Sequence, residues 1–316
     1  MTRFVVVKDG TVLTPQARAL ADQARAAFPA LRHDAIEPLF PHRGGIGRCR
    51  ICGEQRVLTR EHIPPRSAFN KERGRVHSLM EWLARTADGI LPGGLLRQGG
   101  NWGYTLCGPC NNFLGHEYAD EYTRMAIGIV NTFVGVNVHQ LDAQPQQPIA
   151  AFGLSGSTPG ADPRPGMFVR EVLGLMCSMS ADFDLAGRYP VIRRVILDKS
   201  VESLPQGMTI GMTAYFHKDS RFAGPALEID TADGVWRFVM EVAHRPLAVL
   251  MVLATNGPAP HVCDISGFTQ IAPDLQQAVG GRIAVGFGHT ILPGDYRTRA
   301  MVEADAARPR HQQAQT

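Results

Sequence analysis

The chain has 316 residues, of which 44% are apolar and 19% charged. This balance excludes wholesale disorder and leaves enough apolar material to bury a core in one large or two ordinary domains. A formal net charge of +3 excludes a general polycation, yet the charge is uneven. Residues 1–120 hold 16 Lys/Arg against 11 Asp/Glu, and residues 121–316 hold 16 against 18. The basic part also carries the paired cysteines, which suits a nucleic-acid substrate.

In chain order, Phe4–Val7 predicts a strand and Asp9-Gly10 a turn. Thr14-Pro15 opens a helix that Pro29 ends, so residues 1–46 form a strand-helix lead-in. Met1–Lys8 is too short and too soon charged for an export signal, and no apolar stretch reaches membrane-span length. The expectation is a cytoplasmic protein with no membrane partner. Pro38, Pro41, Gly44, Gly45 and Gly47 predict a loop over 38–48. A helix is predicted around 78–85, and another from Asn111 to about Val134.

Residues 142–166, rich in Pro, Gln, Gly and Ser, predict a linker or exposed loop. A C-terminal α+β domain follows over 167–302. Helices are expected at 167–179 and 191–197, then strands at 208–217, 226–230, 236–242 and 247–254. His217, His244, His261 and His289 have no ligand spacing and read as structural or surface residues. The polar tail over 303–316 is expected to be disordered.

Four of the six cysteines form two Cys-x-x-Cys pairs, Cys49/Cys52 and Cys107/Cys110. Two residues between cysteines let both thiolates face one ion, and four thiolates complete a tetrahedral zinc shell. Gly53 and Gly108 are expected to supply the tight backbone of such turns. A redox Cys-x-x-Cys is the alternative, and two pairs in one chain argue against it. The zinc would be structural, with no open coordination position.

Between the pairs lies Leu58-Thr-Arg-Glu61-His62-Ile63-Pro64-Pro65, and the second pair runs into Asn111-Asn112-Phe113-Leu114-Gly115. Over about residues 47–120 this resembles the HNH, or ββα-metal, endonucleases, in the branch with Cys-x-x-Cys, Glu-His-Ile-x-Pro and Cys-x-x-Cys-Asn-Asn. The resemblance implies an α+β fold with a zinc-knuckled ββα-metal module over 47–135 ahead of the helix-then-antiparallel-sheet domain. It implies that His62 is the general base, that Glu61 and Asn111 hold a catalytic Mg²⁺ or Mn²⁺, and that Asn101 orients the His or braces its loop. His116 is an alternative ligand. Glu stands where Asp is commoner, and Asn111 where His is commoner. In a strand Glu61 and His62 point to opposite faces, so both reach a phosphate only if the strand ends there, as Pro64-Pro65 suggests.

Arg60, Arg66, Lys71, Arg73 and Arg75 cluster around the motif and are candidates for gripping nucleic-acid phosphate. The reading is therefore a metal-dependent endonuclease, with DNA favoured by the resemblance. By analogy the setting is antiphage defence or a mobile element. The competing reading is a non-catalytic zinc module that binds nucleic acid or a partner protein. The C-terminal domain is a candidate for oligomerisation or partner binding.

Overall fold

The computed structural model describes residues 39–78, 94–133, 149–154, 163–217, 219–230, 235–257, 262–275 and 279–286. The lead-in strand and helix, most of the predicted 78–85 helix, His261, His289 and the C-terminal tail lie outside these residues. Among the described residues five strands come first: β1 (Gly45–Arg48), β2 (Gln55–His62), β3 (Gly74–Ser78), β4 (Leu95–Arg97) and β5 (Trp102–Cys107). Strands β1, β2 and β5 make a three-stranded antiparallel sheet in that order. Strand β1 occupies part of the expected 38–48 loop. Pairing of Gly45–Arg48 with Leu58–Gln55 overrides the low strand propensity of its glycines.

The helical run expected over 111–134 is two helices, α1 (Gly108–Glu117) and α2 (Ala119–Thr132). They part at Tyr118, whose buried hydroxyl donates to the Ile196 carbonyl at 2.6 Å. That anchor turns the chain where propensity alone would continue it. Pro109 stands in the first turn of α1, where its missing N–H costs nothing.

The elements that follow are β6 (Ile149–Leu154), α3 (Pro165–Met179), α4 (Leu185–Arg188), α5 (Pro190–Leu197), β7 (Thr209–Tyr215), β8 (Ser220–Asp230), β9 (Val235–His244), β10 (Leu247–Thr255), β11 (Cys263–Asp264) and β12 (Val279–Gly286). A nine-stranded sheet runs β4-β3-β8-β9-β10-β7-β12-β6, with β11 also on β7. The expected antiparallel strands are its centre, β8-β9-β10-β7.

Two sequence boundaries differ from the structure. The expected linker over 142–166 contains β6, which pairs with β12 from Ile149↔Ala284 to Leu154↔Val279. Its Ile-Ala-Ala-Phe-Gly-Leu run is short and flanked by turn residues, so composition masks it. Strand β3, from the cysteine-bearing segment, joins β8 of the C-terminal region in parallel. The two expected domains therefore share one sheet.

They share a core as well. Helix α3 is buried along its whole length and apolar on nearly every side, as a central helix must be. One apolar cluster joins Leu106, Leu114 and Met125 to Phe168, Val172 and Met176, and onward to Phe222, Met240 and Met251. On β10, Leu247, Val249, Met251 and Leu253 face this cluster while Leu250 and Val252 pack on the other side of the sheet. That is the two-residue alternation of a strand buried on both faces.

Candidate functional site

The first cysteine pair sits in the turn between β1 and β2. The Gly53 amide donates to the Cys49 carbonyl at 2.9 Å, and Gly53 takes φ 77°, as the knuckle reading requires. Gly108 differs from expectation: it opens α1 with no left-handed backbone, and a Cβ there would make only an ordinary 3.7 Å contact with Thr59. The second pair spans the end of β5 and the first turn of α1.

The four sulfurs lie within 4.8 Å of one another, and all six cysteines are free. The Cys52–Cys107 sulfur separation is 3.8 Å. A disulfide is far shorter, near 2.05 Å. A zinc tetrahedron with bonds of about 2.3 Å has edges of about 3.8 Å, so the arrangement fits a tetrahedral thiolate site. The four cysteines can hold a metal ion such as zinc. Among the described residues they are the one group of three or more His, Cys, Asp or Glu placed to share an ion. Packing the sulfurs this closely pushes the Cys49 thiol down to about 4, chiefly through its hydrogen bond with Cys110, whose own thiol is pushed up.

Beside this cluster is a pocket of about 540 Å³. It brings together Arg60, Glu61, His62, Arg66 and Lys71 with Asn111 of α1. Strand β2 ends at His62, as the two prolines predict. The His62 ring is half-buried, and its Nε2 lies 3.2 Å from the Gly99 carbonyl. A carbonyl only accepts, so Nε2 carries the proton and Nδ1 keeps the lone pair. Burial, with Arg60 and Arg66 adding to it, holds the imidazole below its usual pKa and therefore neutral at pH 7. Asn111 donates its Nδ2 to Thr59 Oγ1 and to the Arg60 carbonyl, both at 3.0 Å. Its Oδ1 is the atom left to offer a ligand.

Glu61 differs from a plainly presented ligand. It is buried in the floor of the pocket. Its Oε2 accepts from Thr105 Oγ1 at 2.6 Å and its Oε1 from Ser178 Oγ at 2.7 Å. Thr105 reaches it because the β2–β5 register shifts between Thr59 and Arg60, leaving Thr105 as an extra residue on β5. Burial pushes the Glu61 carboxyl up to about 7, against the lowering pull of the two hydroxyls and Arg50.

Asn101 is also buried and does not line the pocket. Its Nδ2 donates to Ser220 Oγ at 3.2 Å, and that hydroxyl lies 2.7 Å from Nδ1 of the half-buried His244. The Asn101 backbone carbonyl accepts from the Ile63 amide at 2.9 Å. His116 is exposed in the last turn of α1, outside the pocket. Arg60, Arg66 and Lys71 are at the pocket, with the Arg60 guanidinium 4.2 Å over the Trp102 ring. Arg73 and Arg75 are exposed elsewhere.

Two residues carry no sequence signal strong enough to single them out. Asn70 is fully buried and donates to the carbonyls of Pro64 (2.6 Å) and Asn101 (2.9 Å), while accepting from the Asn101 amide at 2.7 Å. These bonds clamp the loop after His62 to the turn bearing Gly99. Gly100 is obligatory in that turn: φ is 88°, and a Cβ would lie 2.2 Å from the Asn70 carbonyl oxygen. Only the spacing of Asn70 from the prolines could have drawn attention to it. The second is Glu171 of α3, which reaches the same pocket from far along the chain.

Comparison of the chain with protein-family models, with curated proteins and with solved structures returned no match. Among the described residues no helix is long and apolar enough to cross a membrane.

Proposed function

We propose that this protein is a metal-dependent endonuclease of the HNH type that hydrolyses phosphodiester bonds, with DNA as the favoured substrate. The observation that carries the reading is the convergence of His62 and Asn111 on one basic-rimmed pocket beside the four-cysteine cluster. His62 Nδ1 takes a proton from water, and the water oxygen attacks phosphorus. The phosphorus–oxygen bond to the leaving strand breaks, and that oxygen departs with the bonding pair. Asn111 and Glu61 are the residues that would hold a Mg²⁺ or Mn²⁺, whose chemistry there is Lewis-acid neutralisation of the phosphate and leaving oxygen. Arg60, Arg66 and Lys71 attract and seat the phosphate backbone without reading sequence.

The test is a panel of duplex DNA, single-stranded DNA and RNA with added Mg²⁺ or Mn²⁺. The wild-type chain is expected to cleave at least one of them. His62→Ala is expected to lower the rate by about 10²-fold or more, with zinc content and melting temperature retained. Unchanged cleavage in that variant sinks the assignment. One observation favours the second reading, a zinc module that binds nucleic acid without cutting it: both Glu61 oxygens already accept hydroxyl hydrogen bonds. Binding with no cleavage under either metal would select it.

A further inference from the structure

Helix α3 lies outside the cysteine-bearing segment, yet one of its faces closes the pocket. Glu171, Gly174 and Ser178 fall at i, i+3 and i+7 on that face. Ser178 donates to Glu61 in the pocket floor. Gly174 abuts Leu114, which lines the pocket; a Cβ at 174 would sit 2.8 Å from the Leu114 Cδ1. Glu171 is the charged member of this face and itself lines the pocket. It is 4% exposed, and among the described residues its buried Oε2 has no hydrogen-bond partner. Burying a carboxylate oxygen without a partner costs roughly 1–3 kcal/mol or more, so an orphan in a pocket wall points to a ligand.

The chemistry of the surroundings names the ligand class. Two carboxylates, Glu61 and Glu171, close enough to interact electrostatically, share a cavity with the amide of Asn111. Carboxylate oxygens keep a second lone pair after accepting one hydroxyl, so Glu61 braced by Thr105 and Ser178 can still ligate. Mg²⁺ is typically held by one or two carboxylates and completes its shell with water and substrate phosphate. Six waters occupy roughly 200 Å³ at about 30 Å³ each, so a hydrated ion fits a pocket of about 540 Å³. We propose that Glu171, with Glu61, ligates the divalent cation of this pocket, so that a helix from outside the cysteine segment completes the site. The inference rests on the reading of the pocket as a phosphodiester-cleaving site.

The experiment is an electron paramagnetic resonance titration of Mn²⁺ into the full, zinc-loaded chain, with nuclease assays and melting curves run beside it. Glu171→Gln is expected to weaken Mn²⁺ binding by about tenfold or more, to lower Mn²⁺-dependent cleavage, and to leave the melting temperature without Mn²⁺ equal or higher. Glu171→Asp keeps the charge on a shorter arm and is expected to bind with intermediate affinity; it stands in if the Gln variant does not fold. A purely structural role for Glu171 predicts a lowered melting temperature with unchanged Mn²⁺ affinity, and that result overturns the proposal. Wild-type cleavage with equal Mn²⁺ affinity in Glu171→Gln also overturns it while the endonuclease reading survives. Glu171-dependent Mn²⁺ binding by a wild-type chain that cleaves nothing supports the cation site and ends the endonuclease reading.

Discussion

The sulfur cluster and the pocket are neighbours, but they are assembled in opposite ways. All four sulfurs come from two tight local features, the β1–β2 turn and the β5–α1 junction. The pocket draws on the end of β2, the loop after it, one side of α1 and a face of α3. The first is a local geometry repeated twice; the second exists only when distant helices and strands have packed. An ion in the sulfur cluster would hold the module together, and the packing of α3 would decide whether the pocket is complete.

The largest expected effect tests the local half of that contrast. Zinc binding in small thiolate modules is worth roughly 10–16 kcal/mol, comparable to or above the whole stability of a domain. Cys110→Ser, or a strong chelator, is expected to abolish the cooperative melting transition, read by circular dichroism alongside zinc content. A chelated chain that melts as before would show the cysteines to be dispensable.

Asn70→Ala tests the clamp between the two halves. It removes three buried hydrogen bonds and leaves backbone groups of Pro64 and Asn101 unpaired. The expected loss is about 3 kcal/mol or more. The Nε2–H signature of His62 in nitrogen NMR should weaken too, because Gly99 is no longer held opposite the ring. Loss of stability with an unchanged His62 signature would separate the clamp from the site.

Glu61→Gln gives a test in pH. Burial raises the Glu61 pKa from 4.5 to about 7 in the folded chain. Between those values the folded state binds more protons than the unfolded state, so wild-type stability falls as pH rises. Without added divalent cation, Glu61→Gln is expected to be the more stable protein above pH 7, by roughly 3 kcal/mol. The gap should vanish below pH 4.5. A gap that does not depend on pH would show that the hydroxyl hydrogen bonds, not the charge, set the effect.

The smallest effect belongs to the rim. Arg66→Ala with Lys71→Ala should weaken nucleic-acid binding and flatten its salt dependence, by a log–log slope of about 0.7–0.9 for each phosphate no longer neutralised. Melting should be unchanged, since both side chains are exposed. An unaltered salt slope would take these residues out of the interface.

Much of the secondary structure was legible. The strands at β7, β9 and β10 and the helices α3 and α5 follow hydrophobic period, and their Gly and Pro boundaries mark where they stop. The break at Tyr118 was not legible, because a tertiary hydrogen bond to Ile196 makes it. Nor was β6, whose six residues carry too little pattern to stand out from Pro- and Gln-rich flanks.

By itself the sequence determined the four-cysteine cluster and the end of β2 after Glu61-His62, because Cys-x-x-Cys spacing and paired prolines act within a few residues. Only the tertiary structure decided where those side chains face. It buried Glu61 beneath hydroxyls of Thr105 and Ser178, turned Asn101 toward Ser220, and set Asn70 as the clamp. It also carried Glu171 into the pocket across more than a hundred residues of chain. Burial and long-range hydrogen bonds depend on how sheets and helices pack, and a local motif does not encode that.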